Sequence, residues 1–342
     1  METTTLAFST GHLLADQVLQ EIVTLFERLF PNRVIAYYVE GSYADQTAIA
    51  TSDLDLTLVF RATFVDANEQ EQVHVVIAAC KQRCALELDF TLFAEQQLRQ
   101  RADPIFMLGA QLVYGRDLRA TLPILSIETW ACKRMHAAFW LMINVFQRPQ
   151  PVRAPLMLPH PNDPFYGYAN RRLRLPDHTE IPTTRNLMRV TGWIATARIA
   201  YQAHEYVIRK RDCVATYRAL INDEWTGLLE QLEQRCRIAW GYRIPEQTSE
   251  QAELCTILVY TLAFENHFLG LYRQFVCAEL WSAEPVAQKI ALELLGRTLY
   301  ADQMILSAIH SLITADDPEI RRAAWALVPR LAEAIDVTRH YD

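Results

Sequence analysis

Residues 41–56 read GSYADQTAIATSDLDL, and this stretch decides how the chain is read. Gly41 and Ser42 close an apolar, aromatic and β-branched run, VIAYYVE at 34–40. Such runs favour a strand. After ten intervening residues, Asp53 and Asp55 open a second run of the same kind, DLDLTLVF at 53–60. Alternate residues of a strand face the same side. The two carboxylates are therefore expected side by side, with Leu54 and Leu56 turned into the core. The segment from Gly41 to Ser52 reads as a small polar loop.

A third strand is expected at 85–93, ALELDFTLF. It carries Glu87 and Asp89 two residues apart on one face. Acids inside strands built from Leu, Val and Phe are costly unless a cation compensates them. Hard Mg²⁺ prefers carboxylate and phosphate oxygens. Two such ions held by shared carboxylates neutralise charge on a phosphorus undergoing displacement. A glycine allows close approach of the backbone to a triphosphate. The Ser42 hydroxyl and nearby amides can donate to phosphate oxygens.

Outward from this centre, residues 12–30 repeat apolar positions at helical spacing and stop at Pro31-Asn32. Helices are expected at 67–84 and 94–101. A fourth strand is expected within 104–118, ahead of Gly115. From about residue 125 the pattern is helix after helix. The exception is 148–184, where eight prolines predict a long loop (149, 151, 155, 159, 161, 164, 176 and 182). PVAQKIALELLG begins at Pro285 and PEIRRAAWALVP at Pro318. These echoes, flanking a helix expected at 300–313, are similar to HEAT-type stacking. The end of an ordinary helical bundle is the alternative. The expected class is α+β: a small mixed twisted sheet with flanking helices, then an all-α domain.

The spacing Gly-Ser, ten residues, Asp-Leu-Asp, then an acid on a later apolar strand resembles the DNA polymerase β-type nucleotidyltransferase superfamily. That resemblance implies metal binding by Asp53 and Asp55. It implies a third acid, Asp89 with Glu87 as the alternative, that binds metal or takes the acceptor proton. Two stretches resemble aminoglycoside adenylyltransferases: QLVYGRDLR at 111–119, and TRNLMRVTGWIATARIAYQAHEYV at 184–207. The family's Ser-Lys pair, whose Lys approaches the nucleotide phosphates, falls here on Thr196-Ala197. Arg198, Arg209 or Lys210 could stand in. Arg185 and Arg189, four apart on one helix face, either touch the triphosphate or pair with surface acids.

The resemblance thus implies transfer of a nucleoside monophosphate, AMP from ATP, to a hydroxyl of a small acceptor such as an aminoglycoside. Two Mg²⁺ ions are expected. Domains are expected at 1–120 (catalytic), 121–280 (helical, closing on the nucleotide) and 281–342 (C-terminal helices), with the site in the cleft between the first two. Two rival readings remain: nucleotidylation of a protein or an RNA end, and an inactive homologue serving as a helical scaffold.

Composition narrows these. The net charge is −7, from 33 Lys and Arg against 40 Asp and Glu. This disfavours a nucleic-acid partner without excluding one, and permits an acidic pocket for a cationic acceptor. Seven scattered cysteines without a CxxC pair read as buried thiols of a reducing cytoplasm. No signal peptide is read, and no apolar stretch is expected to span a membrane. No histidine set has zinc spacing. Trp130, Trp140, Trp193, Trp240 and Trp325 are expected in the core. Tyr166 and Tyr168 are expected to anchor their loop, or else to stack on a base or sugar.

Overall fold

The computed structural model describes residues 5–64, 67–175 and 179–336. It is an α+β chain with two compact units. The first comprises residues 1–130, 172–181 and 202–221, and the second comprises 131–171, 182–201 and 222–342. Two short segments thus return to the first unit from distant points in the sequence.

The first unit begins with α1 (Leu13–Leu29), whose Leu19, Ile22, Val23 and Phe26 are buried. Asp16 ties down its start, accepting from the Thr10 amide at 2.8 Å. β1 (Val34–Glu40) follows, then a single helical turn, α2 (Gly41–Ala44), where a loop was expected. The turn closes because the Asp45 amide donates to Gly41 O and the Thr47 amide to Ser42 O. β2 (Leu54–Phe60), α3 (Ala67–Arg83), β3 (Leu88–Ala94), α4 (Glu95–Arg101), α5 (Pro104–Gly109) and β4 (Gln111–Gly115) complete the sheet and its flanking helices. α5 has a clear origin: Asp103 caps it through the Ile105 amide at 2.8 Å, with Pro104 at its first position.

Strand order is β3-β2-β1-β4, with β2 and β3 parallel and the other pairs antiparallel. α3 supplies the crossover that a parallel pair needs. Alternation along the strands sorts residues onto two faces. Val39, Leu54, Leu56 and Leu58 pack with Leu19, Val23 and Phe26 of α1 and with Val73 and Ile77 of α3. On the other face Ala36, Tyr38 and Val59 pack with Leu98, Phe106 and Met107 of α4 and α5. Asp55 and Glu40 belong to this second face.

The segment after β4 is locked structurally. Tyr38 Oη donates to Asp117 and accepts from the Leu118 amide at 2.8 Å, while Arg119 pairs with Asp117 at 2.7 Å. The Arg119 guanidinium holds Asp117 down to about 2. Gly115, at φ +93°, lies against the Ile35 carbonyl, where a Cβ would clash.

The remaining elements are α6 (Ile127–Val145), a short pair of strands β5 (Arg171–Arg174) and β6 (Glu180–Thr183), α7 (Arg185–Arg198), α8 (Cys213–Leu220), α9 (Thr226–Gln231), α10 (Thr248–Trp281), α11 (Pro285–Thr298), α12 (Gln303–His310) and α13 (Pro318–Asp336). The stretch 148–184 is therefore not one long loop: it holds a helical turn at Pro164–Gly167 and the two strands. Pro176 lies outside the described residues.

In the second unit α10 is central, with a buried face that includes Leu254, Phe264, Phe268 and Phe275. By length and hydropathy alone it could cross a membrane, contrary to expectation; its packing is that of a core helix. Its Glu265 is fully buried and pairs with Arg148 at 2.5 Å, and Tyr168 donates to the same carboxylate at 2.5 Å. Tyr168 thus anchors its loop. Two tryptophans depart from the core expectation: Trp140 is 43% exposed and Trp325 is 61% exposed. Each sits on the outward face of its helix, where the apolar pattern continued past the packed stripe.

Candidate active site

Strand register builds the site. Across β1 and β2, Glu40 lies opposite Asp55; across β2 and β3, Asp55 lies opposite Asp89. Directly opposed residues share a face, with Cβ atoms about 5 Å apart. Three carboxylates therefore stand abreast on three adjacent strands. Asp53 sits two residues ahead of Asp55, just before β2 begins. Glu87 precedes β3, and its carbonyl accepts from the Leu54 amide at 2.8 Å. Asp89 is the acid that lies in the row, 66% exposed and 4.0 Å from Lys81 Nζ.

Gly41 makes the close packing feasible. Its φ is +65°, and a Cβ there would collide with Oδ2 of Asp55. No other residue type meets both conditions without strain. Ser42 is buried directly beside it. Thr57, two residues after Asp55 on the same face, donates its hydroxyl to Glu40 Oε1.

The electrostatics follow from crowding. Burial pushes the Asp55 carboxyl up to about 7, with Asp53, Asp89 and Glu40 adding repulsion and the Lys210 ammonium opposing it. Burial also raises Glu40, against the Thr57 hydrogen bond. Like charges held this close favour a bound cation. Among the described residues no three His, Cys, Asp or Glu side chains are grouped closely enough to hold a metal ion by themselves. The oxygen-only donor set suits Mg²⁺, which usually takes one or two carboxylates and completes its shell with phosphate and water.

The other residues singled out from the sequence are distributed as follows. Gly41, Ser42, Asp53, Asp55 and Asp89 share the first unit. Arg185 and Arg189 belong to the second: Arg185 is buried, 5.9 Å over the Tyr242 ring, and Arg189 is exposed. Arg198 is buried there and paired with Asp223 at 2.8 Å. Thr196 and Ala197 are buried in that unit too, and the Thr196 hydroxyl accepts from Arg134 at 2.6 Å. These positions are committed to packing. Glu40 is a member of the row that was not singled out from the sequence, and Lys210 acts on Asp55 electrostatically. Glu40 escaped notice because it precedes the Gly-Ser pair, although its alternation with Tyr38 marks it as sharing a face with Asp55's neighbours. Lys210 is among the cations named from the sequence, but its influence on Asp55, 155 residues away in the chain, is one that no local pattern records.

The fold and site define an α+β protein with an acidic row at one end of a small mixed sheet. No family model matches the sequence, and no curated protein does. Among solved structures the chain is similar to spectinomycin adenyltransferase AAD(9) from Enterococcus faecialis, determined with ATP and spectinomycin. The identity is 12%, the TM-score is 0.36, and the match covers 72% of this chain and 98% of that one. A likeness at that level carries no inference about function.

Proposed function

We propose that the chain is a Mg²⁺-dependent nucleotidyltransferase that moves AMP from ATP to a hydroxyl of a small acceptor such as an aminoglycoside. The observation that carries this reading is the row Glu40–Asp55–Asp89, with Asp53 beside it and Gly41 against Asp55. Asp53, Asp55 and Asp89 would hold the metal, whose contribution is to neutralise the phosphate charge. Gly41 lets the α2 turn approach the nucleotide, and Ser42 and the turn's amides donate to phosphate oxygens.

The reaction balances simply. The acceptor oxygen forms a bond to the α-phosphorus, the bond to the bridging oxygen of the β-phosphate breaks, and pyrophosphate leaves. Asp89 takes the acceptor proton or completes the metal site. Its exposure at the end of the row leaves it open to a substrate hydroxyl.

The test is calorimetric titration of ATP, GTP, CTP and UTP, each with Mg²⁺, into the wild type and into Asp53→Ala/Asp55→Ala. Metal-dependent binding of one nucleotide, lost in the double variant, is expected. A folded wild type that binds none of the four overturns the reading.

A further inference from the structure

Residues 148–170 belong to the second unit and are fastened to it at intervals. The Val152 amide donates to the Leu299 carbonyl at 3.0 Å, and the Val152 carbonyl accepts from the Ala301 amide at 2.8 Å. Asn266 of α10 grips Leu156 twice, accepting from its amide at 2.6 Å and donating to its carbonyl at 3.1 Å. Arg148 donates to the Met157 carbonyl at 2.5 Å, and Tyr168 commits its hydroxyl to Glu265. Asn170 donates to the Val145 carbonyl at 2.7 Å.

Between Met157 and Tyr168 the chain closes a turn on itself. The Asp163 amide donates to the His160 carbonyl at 3.0 Å, the Tyr166 amide to the Asp163 carbonyl at 2.9 Å, and the His160 amide to the Tyr166 carbonyl at 3.0 Å. The closure is strained. Phe165 (φ +52°, ψ +31°) and Tyr166 (φ +56°, ψ +24°) are both left-handed, a region that bulky side chains rarely adopt. Gly167 continues at φ +82°, with the His160 ring where a Cβ would stand. Glycine would suit the two preceding positions better, yet aromatic residues occupy them. Their rings are half-exposed. No described residue stacks on either ring or hydrogen-bonds the Tyr166 hydroxyl. Strain of this kind persists where the surroundings over-determine it, and it clusters at ligand sites.

The side chains of the turn narrow the ligand. His160 is half-exposed, and Asn162 and Asp163 are exposed, so planar hydrogen-bonding groups share the turn with the two rings. From Ala154 to Asn170 there is no Lys or Arg and a single acid. A phosphate or other polyanion finds no counter-charge there. A neutral pyranose suits the surface: its C–H face can lie on an aromatic ring while its edge hydroxyls reach polar groups. A turn already held in shape also loses little entropy on binding. We propose that the 160–167 turn is a binding site for neutral sugar rings, with Phe165 and Tyr166 as the stacking surface and His160, Asn162 and Asp163 as its polar rim. This site does not depend on nucleotide transfer by the first unit, and neither test decides the other.

The experiment applies the full chain to an array of neutral oligosaccharides built from glucose, galactose, mannose and N-acetylglucosamine, with phosphorylated sugars and proline-rich peptides alongside. Bound sugars are then titrated by calorimetry. Tyr166→Gly should weaken the sugar about tenfold or more, the scale of a lost stacking ring. Trp325→Ala, which removes an exposed ring elsewhere in the unit, should bind as the wild type does. Thermal melts separate binding from folding. Glycine relieves the left-handed strain and frees the unfolded chain, effects that oppose each other, so Phe165→Gly and Tyr166→Gly should melt within about 2 °C of the wild type. Melting several degrees lower in both variants would show that the rings hold the fold, and overturns the assignment. So does a wild type that binds no neutral sugar, that binds only the phosphorylated sugars or the peptides, or whose sugar binding survives Tyr166→Gly.

Discussion

Replacing Asp55 by Asn removes a carboxylate that the fold holds at a cost. The group is pushed from an ordinary 3.8 up to about 7 by burial and by Asp53, Asp89 and Glu40. A carboxylate whose proton affinity is raised on folding costs no stability below its unfolded value. The cost grows as pH climbs from about 4 and is complete above about 7. At ~1.4 kcal/mol per pH unit the ceiling is about 4 kcal/mol, and a screened, partly relaxed site should realise about half of it, roughly 2 kcal/mol. Asp55→Asn should therefore be the more stable protein at pH 8 without metal, by about 4–8 °C in Tm for a unit of this size. The advantage should shrink toward zero near pH 4. Adding Mg²⁺ should raise the Tm of the wild type and not that of the variant. Thermal melts at pH 4, 6 and 8, with and without Mg²⁺, decide the matter. A variant less stable at pH 8, or a gain independent of pH, refutes the picture of a crowded acid awaiting a cation.

Two other substitutions probe the geometry. Gly41→Ala forces a side chain into a backbone at φ +65° and against Asp55; a loss of about 1–3 kcal/mol in urea unfolding is expected, with metal-dependent nucleotide binding lost as well. In the second unit, Glu265→Gln leaves Arg148 buried without its counter-charge. It should cost about 3–5 kcal/mol, whereas replacing both partners with apolar residues of similar size should recover most of that; equal losses in the single and double variants would show that packing, not charge, is at stake.

Much of the first unit is legible in the sequence because its signals are local. Runs of apolar, aromatic and β-branched residues mark β1, β2 and β3 almost to their ends, and Asp53 and Asp55 advertise themselves by interrupting such a run. The α2 turn was not legible, since a single helical turn rests on one or two backbone hydrogen bonds and has no periodicity to display. The strands β5 and β6 were hidden by the prolines around them. Trp140 and Trp325 show the opposite failure: an apolar residue at helical spacing is not thereby buried, because packing covers only one stripe of the helix.

Local signals along the chain suffice for the class of fold, the strands of the sheet and the pairing of Gly41-Ser42 with the acids that follow, the last within fifty residues of one another. That Glu40 joins Asp55 and Asp89 in one row follows from the register between strands, which emerges when the sheet assembles. Tertiary packing alone brought residues 209–212 to the same unit and left Thr196 and Ala197 inside the other. Contacts between residues far apart in the chain are set by which surfaces bury one another, and no spacing along the chain records that.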